Sequence, residues 1–392
     1  MKILHLIRSV NPVGGGPIEG VKQLGLVNRH LDHEIEVASL DAPSAEFLKT
    51  FPLPVHALGP SWLKYGYSGR LLPWLRENVA KYDIVIVNGL WQYHGLGVWR
   101  YMHNRDIPYV VYSHGMLDPW FNKTYPLKHL KKALYWPWGE YRVLRDASAV
   151  LFTSEEERIL ARQSFRPYRC NEIVVRYGTA GPTGDPQTQL QAFYETFPHL
   201  RGKRLAIFLG RLHEKKGCDL LIQAFAEVLA SDPDWHLILC GPDQVGWEAK
   251  LRVMAEQLKV SGRITWLGMV SGDLKWGALR ASEIFVLPSH QENFGIVVAE
   301  ALACDVPVLI SNKVNIWREV QNAGAGLVGS DDLEGTCAVL KTWTKMPSQK
   351  QLEMRSRARE CFLQNFEIHE AAVSLIDTLS NIIARGAARS NV

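Results

Sequence analysis

The chain has 392 residues, more than one hydrophobic core usually serves, so two domains are expected. Apolar residues make up 47% and charged residues 21%, and a net charge of only +4 argues against a nucleic-acid binder, which concentrates its basic residues into a stripe. Six cysteines (Cys170, Cys218, Cys240, Cys304, Cys337, Cys361) stand far apart without a Cys-x-x-Cys pair, which excludes a metal ribbon or disulfide framework and fits a reducing compartment.

The opening MKILHLI is apolar but too short for a secretory signal, and no window is long enough to span a bilayer. A cytoplasmic protein is expected, with any membrane contact peripheral, at the inner face of the plasma membrane.

In chain order, Val- and Ile-rich runs at 2–7, 34–40, 83–88, 109–113, 149–153 and 173–177 read as strands alternating with helical patterns. Gly14, Gly15 and Gly16 follow the first run, ahead of a helix expected to begin near Ile18. Ser154 stands three residues before Glu157, the spacing of a capping box. Residues 178–185 are rich in Gly, Pro and Thr and read as a linker, followed by a polar helix over 188–197. A second strand series occupies 205–209, 236–240, 264–267, 284–287 and 306–310. Ser271, ahead of Asp273, reads as the cap of a helix running to Ala281, and residues 348–385 read as two closing helices. Near-continuous apolar strands separated by helices imply right-handed crossovers and parallel sheets buried on both faces. The domain limits expected are 1–180, 181–365 and a terminal helical segment, 366–392, packing back on the first domain.

Ligands of open α/β sheets bind at the carboxyl ends of the strands. Those ends carry Gly14–Gly16, Asn88 to Trp91 and His114 to Asp118 in the first half. In the second half they carry Gly210 to Gly217, Gly241 to Asp243 and Pro288 to Gly295. Two such edges facing one another would form one interdomain cleft. Arg211 and Lys216 have the spacing to clamp a diphosphate, Arg as a bidentate fork and Lys as a point charge. The segment 288–300 is the sharpest signal. A helix beginning near Phe294 would aim the amides of Phe294, Gly295 and Ile296 at a phosphate and place Glu300 roughly 9 Å along its axis. Glu292 would then reach sugar hydroxyls and Glu300 a ribose; an acid–base pair of carboxylates is the other reading of the two residues.

The pattern Gly210-Arg211, Lys216-Gly217, Gly241-Pro242, Pro288-Ser289, Glu292-Asn293-Phe294-Gly295, Glu300-Ala301 and Pro307-Val308 resembles glycosyltransferase family 4 over nearly the whole chain. The segment 113–120 (SHGMLDPW) is similar to a stretch of bacterial polysaccharide-assembly members. The resemblance implies the GT-B fold, an α/β architecture of two Rossmann-like, doubly wound parallel-sheet domains, and retention of anomeric configuration. It implies a nucleotide-sugar substrate, UDP- or GDP-linked, and no cofactor or metal. Arg211 and Lys216 would neutralise the donor diphosphate, Glu292 would hold the donor sugar and Glu300 the ribose. Gly210, Asn293, Phe294, Gly295 and Ile296 would complete the donor site. Gly15 and Gly16 would approach the phosphates or sugar, and His114 would point at the donor sugar near the reacting carbon. Asn293 stands where many members have Gly, and Pro17 follows the glycine run, so which amide of that run meets the ligand stays open.

A glycan or lipid-linked acceptor is expected on the first domain, where Asn88, Trp91 and Asp118 are candidate contacts. Residues 127–141, from Leu127 to Tyr141, set Leu127, Leu130 and Leu134 on one helical face and Lys128, Lys131 and Lys132 on another. Two readings stand: a surface helix docked on its own domain, which we prefer, and a peripheral helix on an anionic membrane. A sugar-nucleotide epimerase would need further carboxylates, a phosphorylase a cofactor-bearing lysine, and a dehydrogenase a G-x-G-x-x-G fingerprint that neither half contains. A non-catalytic sugar-nucleotide-binding protein is the remaining alternative.

Overall fold

A computed structural model describes residues 1–390. The chain divides into two compact units: Met1–Gly178 together with the segment from Ile368, and Thr179–Glu367.

The first unit holds a seven-stranded parallel sheet of β1 (Lys2–Ile7), β2 (Glu34–Ser39), β3 (Val55–Ala57), β4 (Ile84–Asn88), β5 (Tyr109–Tyr112), β6 (Ala149–Phe152) and β7 (Glu172–Val174). Its order is β3-β2-β1-β4-β5-β6-β7. The second unit holds a six-stranded parallel sheet of β8 (Arg204–Leu209), β9 (Trp235–Cys240), β10 (Ile264–Gly268), β11 (Ile284–Leu287), β12 (Val308–Ser311) and β13 (Gly326–Gly329), in the order β10-β9-β8-β11-β12-β13. Every residue of β4 (IVIVN) and β9 (WHLILC) is buried, because helices cover both faces of a parallel sheet. In each sheet the order reverses beside its first strand, between β1 and β4 and between β8 and β11. The loops beyond those strand ends are where a ligand finds a crevice.

Two edge strands escape the sequence pattern. β3 is three half-buried residues, and β13 begins and ends in glycine, so neither shows a long apolar run. β12 starts at Val308 rather than at 306, since Pro307 has no amide to give to the ladder. The helix after the glycine run begins at Gly16, two residues earlier than expected, with Pro17 in its first turn where a missing N–H is harmless. The Gly272–Ala281 helix starts right after Ser271, but the Ser271 side chain makes no capping bond; Gly272, at φ 56°, turns the backbone away at that step.

The last two helices are Ser348–Asn365, in the second unit, and Ile368–Ser390, which belongs to the first and packs against the Gly16–His30 helix. Within the second unit its two ends meet, with the Thr179 amide donating to the Phe366 carbonyl at 3.0 Å.

The basic amphipathic helix docks on its own unit, as preferred, but with its leucine face turned outward. The Pro126–Tyr135 helix docks by His129, Lys132, Ala133 and the buried Trp136 just beyond it, not by its leucines. Leu127 (84% exposed), Leu130 (59%), Leu134 (70%) and Trp138 (70%) face outward. The deciding force is the aromatic inner wall. The Trp136 indole stacks on Phe165 at 4.8 Å and donates its Nε1 proton to the Pro167 carbonyl at 2.7 Å. Lys132 lies 4.4 Å over the Trp91 ring. An indole with its N–H satisfied buries more apolar area than any leucine and fixes which way the helix rolls. Trp136→Ala should destabilise the protein by about 3–5 kcal/mol and lower the melting temperature by roughly 10 °C, read by differential scanning calorimetry.

Candidate active site

In the second unit, close backbone approaches build the strand-end edge. Gly241, at φ 140°, sits so near β8 that a Cβ would lie 1.8 Å from the Gly210 carbonyl oxygen. The Gly210 amide donates to the Cys240 carbonyl at 2.8 Å and the Leu212 amide to the Pro242 carbonyl at 3.0 Å, so the loops after β8 and β9 run together. Gly217, at φ 68°, is equally restricted: a Cβ there would meet the Pro288 carbonyl oxygen at 2.2 Å. Only glycine combines that backbone shape with that proximity.

This contact brings the 210–217 loop against the segment after β11. The Ser289 hydroxyl and the His290 amide both donate to the Lys215 carbonyl, at 3.0 and 2.8 Å. The Glu292 amide donates to Lys313 O at 2.9 Å and the Asn315 amide to Glu292 O at 3.0 Å, which pins the acidic loop to the end of β12. Lys216 and Glu292, 76 residues apart in sequence, form a largely buried ion pair (216 against 292). Burial and the neighbouring cations Lys215 and Arg211 pull the Lys216 ammonium below its ordinary value, while the Glu292 carboxylate at its side favours the charged form. Arg211 is exposed, with its guanidinium 3.5 Å from the Gln244 amide oxygen.

The helix after this loop is Ile296–Ala303, starting two residues later than expected, with Gly295 at φ 73° as its cap. Its first turn closes with the Val298 amide donating to Gly295 O at 2.7 Å, so the amides ahead of Val298 have no intrahelical acceptor. Phe294 is buried and packs edge-on against Phe366, which leaves its role to the backbone. The Asn293 amide oxygen accepts from Asn315 Nδ2 at 3.4 Å. Glu300 is buried, with its carboxylate 2.9 Å from Lys275 Nζ. Lys275 was not singled out from the sequence; the available signal was a cation in the first turn of a helix leaving a strand end.

In the first unit, Gly15, at φ 79°, lines a pocket of about 330 Å³ with Val10, Ile18, Glu19 and Lys22, and Gly16 opens the following helix. His114 follows β5 in a left-handed conformation, φ 47°, with its ring stacked on Tyr112 at 5.2 Å. Its Nε2 lies 3.3 Å from Asn88 Oδ1, and Asn88 Nδ2 lies 3.3 Å from His5 Nδ1. Burial, with His5 close by, pushes the His114 imidazole down to about 4, so it is neutral at pH 7.

The three residues expected to touch an acceptor make contacts of their own. Asn88 is buried in the histidine chain just described. Trp91 donates its indole proton to the Met116 carbonyl at 3.2 Å and packs on Trp136 and Phe165. The Asp118 carboxylate accepts from the Trp120 amide at 2.8 Å. A buried acid not anticipated from sequence, Glu140, accepts the Trp91 amide at 2.7 Å; burial raises its carboxyl to about 8 despite Lys132 nearby. Among the described residues no cluster of His, Cys, Asp or Glu is placed to hold a metal ion.

Two parallel-sheet Rossmann-like units, with cations, carboxylates and helix-end amides gathered beyond the switch-point strands, define an α/β protein of the doubly wound class. Residues 15–178 match the family described as glycosyl transferase 4-like domain and residues 195–360 the family described as glycosyl transferases group 1. The chain belongs to this glycosyltransferase family and has the GT-B fold. It is 24% identical over 351 residues to the GDP-mannose:cellobiosyl-diphosphopolyprenol alpha-mannosyltransferase of Xanthomonas campestris, covering 85% of this chain and 84% of that protein. It is 34% identical over 126 residues, 31% of this chain, to the D-inositol 3-phosphate glycosyltransferase of Rhodococcus jostii. The match spans only 28% of that relative's length, and 39% and 41% of those from Rhodococcus opacus and Rhodococcus erythropolis. Among solved structures, Anabaena HepE in complex with UDP superposes with a TM-score of 0.77 at 18% identity, over 97% of this chain and all of that one. WaaG, a glycosyltransferase involved in lipopolysaccharide biosynthesis, gives 0.70 at 15% identity, over 96% and 99%.

The buried titrating groups of the first unit fix its pH dependence. His5, His94 and His114 are pushed down to about 4 by burial, so below pH 6.5 the unfolded chain binds protons that the fold refuses, and stability falls as pH drops toward 4. Glu140 acts with the opposite sign: the fold keeps its proton up to about 8, so its contribution falls as pH rises from 4.5 to 8. Three imidazoles outweigh one carboxyl below 6.5, and between 6.5 and about 8 the carboxyl acts alone in this unit. Melting temperature should therefore rise with pH up to about 6.5, and Glu140→Gln should steepen that rise and remove the loss that Glu140 causes between 6.5 and about 7, above which the lowered Lys216 acts with the opposite sign.

Proposed function

We propose that the chain is a retaining hexosyltransferase that moves a sugar from a UDP- or GDP-sugar to a glycan or lipid-linked acceptor in cell-surface polysaccharide or glycoconjugate assembly. The observation that carries this reading is the Lys216–Glu292 pair, held by the Gly217–Pro288 contact at the start of the family's motif segment. It also has support from the relatives, one named for GDP-mannose and one solved with UDP.

On this reading the second unit is the donor domain. Lys216 and Arg211 take the donor diphosphate, and Lys216 leaves Glu292 free to accept hydrogen bonds from sugar hydroxyls. Gly210, Asn293, Phe294, Gly295 and Ile296 line the donor by their backbone, and the ribose hydroxyls meet Glu300, held by Lys275. As the bond between the anomeric carbon and the diphosphate oxygen breaks, the electron pair stays on the phosphate. The two cations and the helix-end amides stabilise that charge, a preorganised electrostatic effect that serves the role a metal ion fills elsewhere. The acceptor oxygen attacks the same face that the phosphate leaves, and a phosphate oxygen receives the acceptor's proton. Neutral His114 orients and polarises the reacting sugar, and Gly15 and Gly16 allow close backbone approach. Asn88, Trp91 and Asp118 shape the acceptor side through the loops they brace.

The donor is identified by a thermal-shift panel of UDP-glucose, GDP-mannose and ADP-glucose, since a ligand that binds only the native state raises its melting temperature. Hydrolysis of the stabilising donor should fall roughly 100-fold in Lys216→Ala and in Glu292→Ala. Parent-like turnover in both variants sinks the site assignment, and a thermal shift without any turnover by the parent favours the non-catalytic binder.

The outward leucine face favours a lipid-linked acceptor met at an anionic membrane. Leu127, Leu130, Leu134 and Trp138 are exposed beside Lys128 and Lys131, the arrangement of an interfacial helix. Flotation with phosphatidylglycerol vesicles should carry the parent upward and leave Lys128→Glu/Lys131→Glu and Leu130→Ser/Leu134→Ser behind. A parent that stays with the pellet, or variants that float equally, overturns the membrane reading.

A further inference from the structure

Glu157 was expected to close a capping box by reaching back to the amide of Ser154. Half of that box forms: the Ser154 hydroxyl accepts from the Glu157 amide at 3.1 Å. The carboxylate does something else. Its Oε1 accepts from the Ser113 hydroxyl at 2.5 Å and from the Gly115 amide at 2.6 Å, the two residues flanking His114. Its Oε2 accepts from the Thr153 amide and the Thr153 hydroxyl, both at 2.7 Å. One buried carboxylate thus takes four donors and ties the loop after β5 to the end of β6.

The loop needs such a tie. His114 at φ 47° and Gly115 at φ 72° are consecutive left-handed residues, and histidine adopts that shape only where its surroundings hold it there. Ser113 and Gly115 are buried, so without an acceptor their hydroxyl and amide would be unsatisfied and the loop would relax to find partners. Helix capping does not require this carboxylate, because the Ser154 hydroxyl already serves the helix end.

We infer that Glu157 is a positioning residue for the glycosyl transfer: it grips Ser113 and Gly115 so that the His114 imidazole is presented beside Asn88 at the end of β5. The inference rests on the role proposed for His114. Gln at this position keeps the shape but, whichever way it turns, sets its NH2 group against a backbone amide, of Gly115 or of Thr153, that can only donate.

The test is a double-mutant cycle on hydrolysis of whichever of UDP-glucose and GDP-mannose gives the thermal shift, using the full chain. Glu157→Gln should lower kcat at least tenfold while the donor KM changes less than twofold. In a His114→Ala background it should lower kcat no further, because the residue through which it acts is gone. A parent-like kcat in Glu157→Gln, or losses that multiply in the double variant, overturns the inference. Should Glu157→Gln fail to fold by circular dichroism, Ser113→Ala, which removes one donor to the carboxylate, replaces it in the cycle. A kcat loss that vanishes in the His114→Ala background then supports the inference, and an unchanged kcat or a multiplicative loss overturns it. A parent-like kcat in His114→Ala itself overturns the role of His114 and the inference together, whereas a defective His114→Ala beside a parent-like Glu157→Gln overturns the inference alone.

Discussion

Parallel strand pairing is the constraint on which everything else in this protein depends. A parallel ladder cannot be closed by a tight hairpin, so each strand is followed by a crossover that returns the chain to the same starting edge. All carboxyl ends then lie along one edge of each sheet, and the strand order reverses beside β1 and β8. Residues far apart in sequence meet there because the topology leaves them nowhere else to go. Lys216 follows β8 and Glu292 follows β11, neighbouring strands in the sheet.

Close backbone approach then sets the geometry within the edge. Gly217 against the Pro288 carbonyl and Gly241 against the Gly210 carbonyl bring loops nearer than any side chain allows. Hydrogen bonds from Ser289 and His290 to Lys215 hold the result. The ion pairs of Lys216 with Glu292 and Lys275 with Glu300 therefore stand in a frame fixed by backbone contacts. In the first unit the equivalent work is done by polar groups that the fold buries: the His5–Asn88–His114 chain and the Glu157 carboxylate.

The Pro126–Tyr135 helix shows how an amphipathic pattern can mislead. Periodicity states that a helix has an apolar stripe, and ordinary packing turns such a stripe inward. Here a tryptophan, a histidine and a lysine take the inner side. Their neighbours, Phe165, Pro167 and Trp91, come from sequence-distant loops. The leucines are left outside, an exposed apolar surface of the kind that marks an interaction site.

What the sequence by itself determined were the buried strands, the linker, most helix starts and the motif segment 288–300. Each depends on local chemistry: β-branched runs, Gly and Pro punctuation, and a serine three residues before a glutamate. The edge strands β3 and β13 were illegible because short half-buried or glycine-bounded segments carry no period. Only the tertiary structure decided which face of the basic helix packs, that Asn88, Trp91 and Asp118 are engaged by their own loops, and that Lys275 and Glu157 serve Glu300 and the His114 loop. Apart from Asp118, whose partner is 2 residues on, those outcomes depend on partners 25 to 83 residues away or on competition between two faces of one helix. Long-range contacts of that kind arise when the sheets form, and no pattern along the chain encodes them.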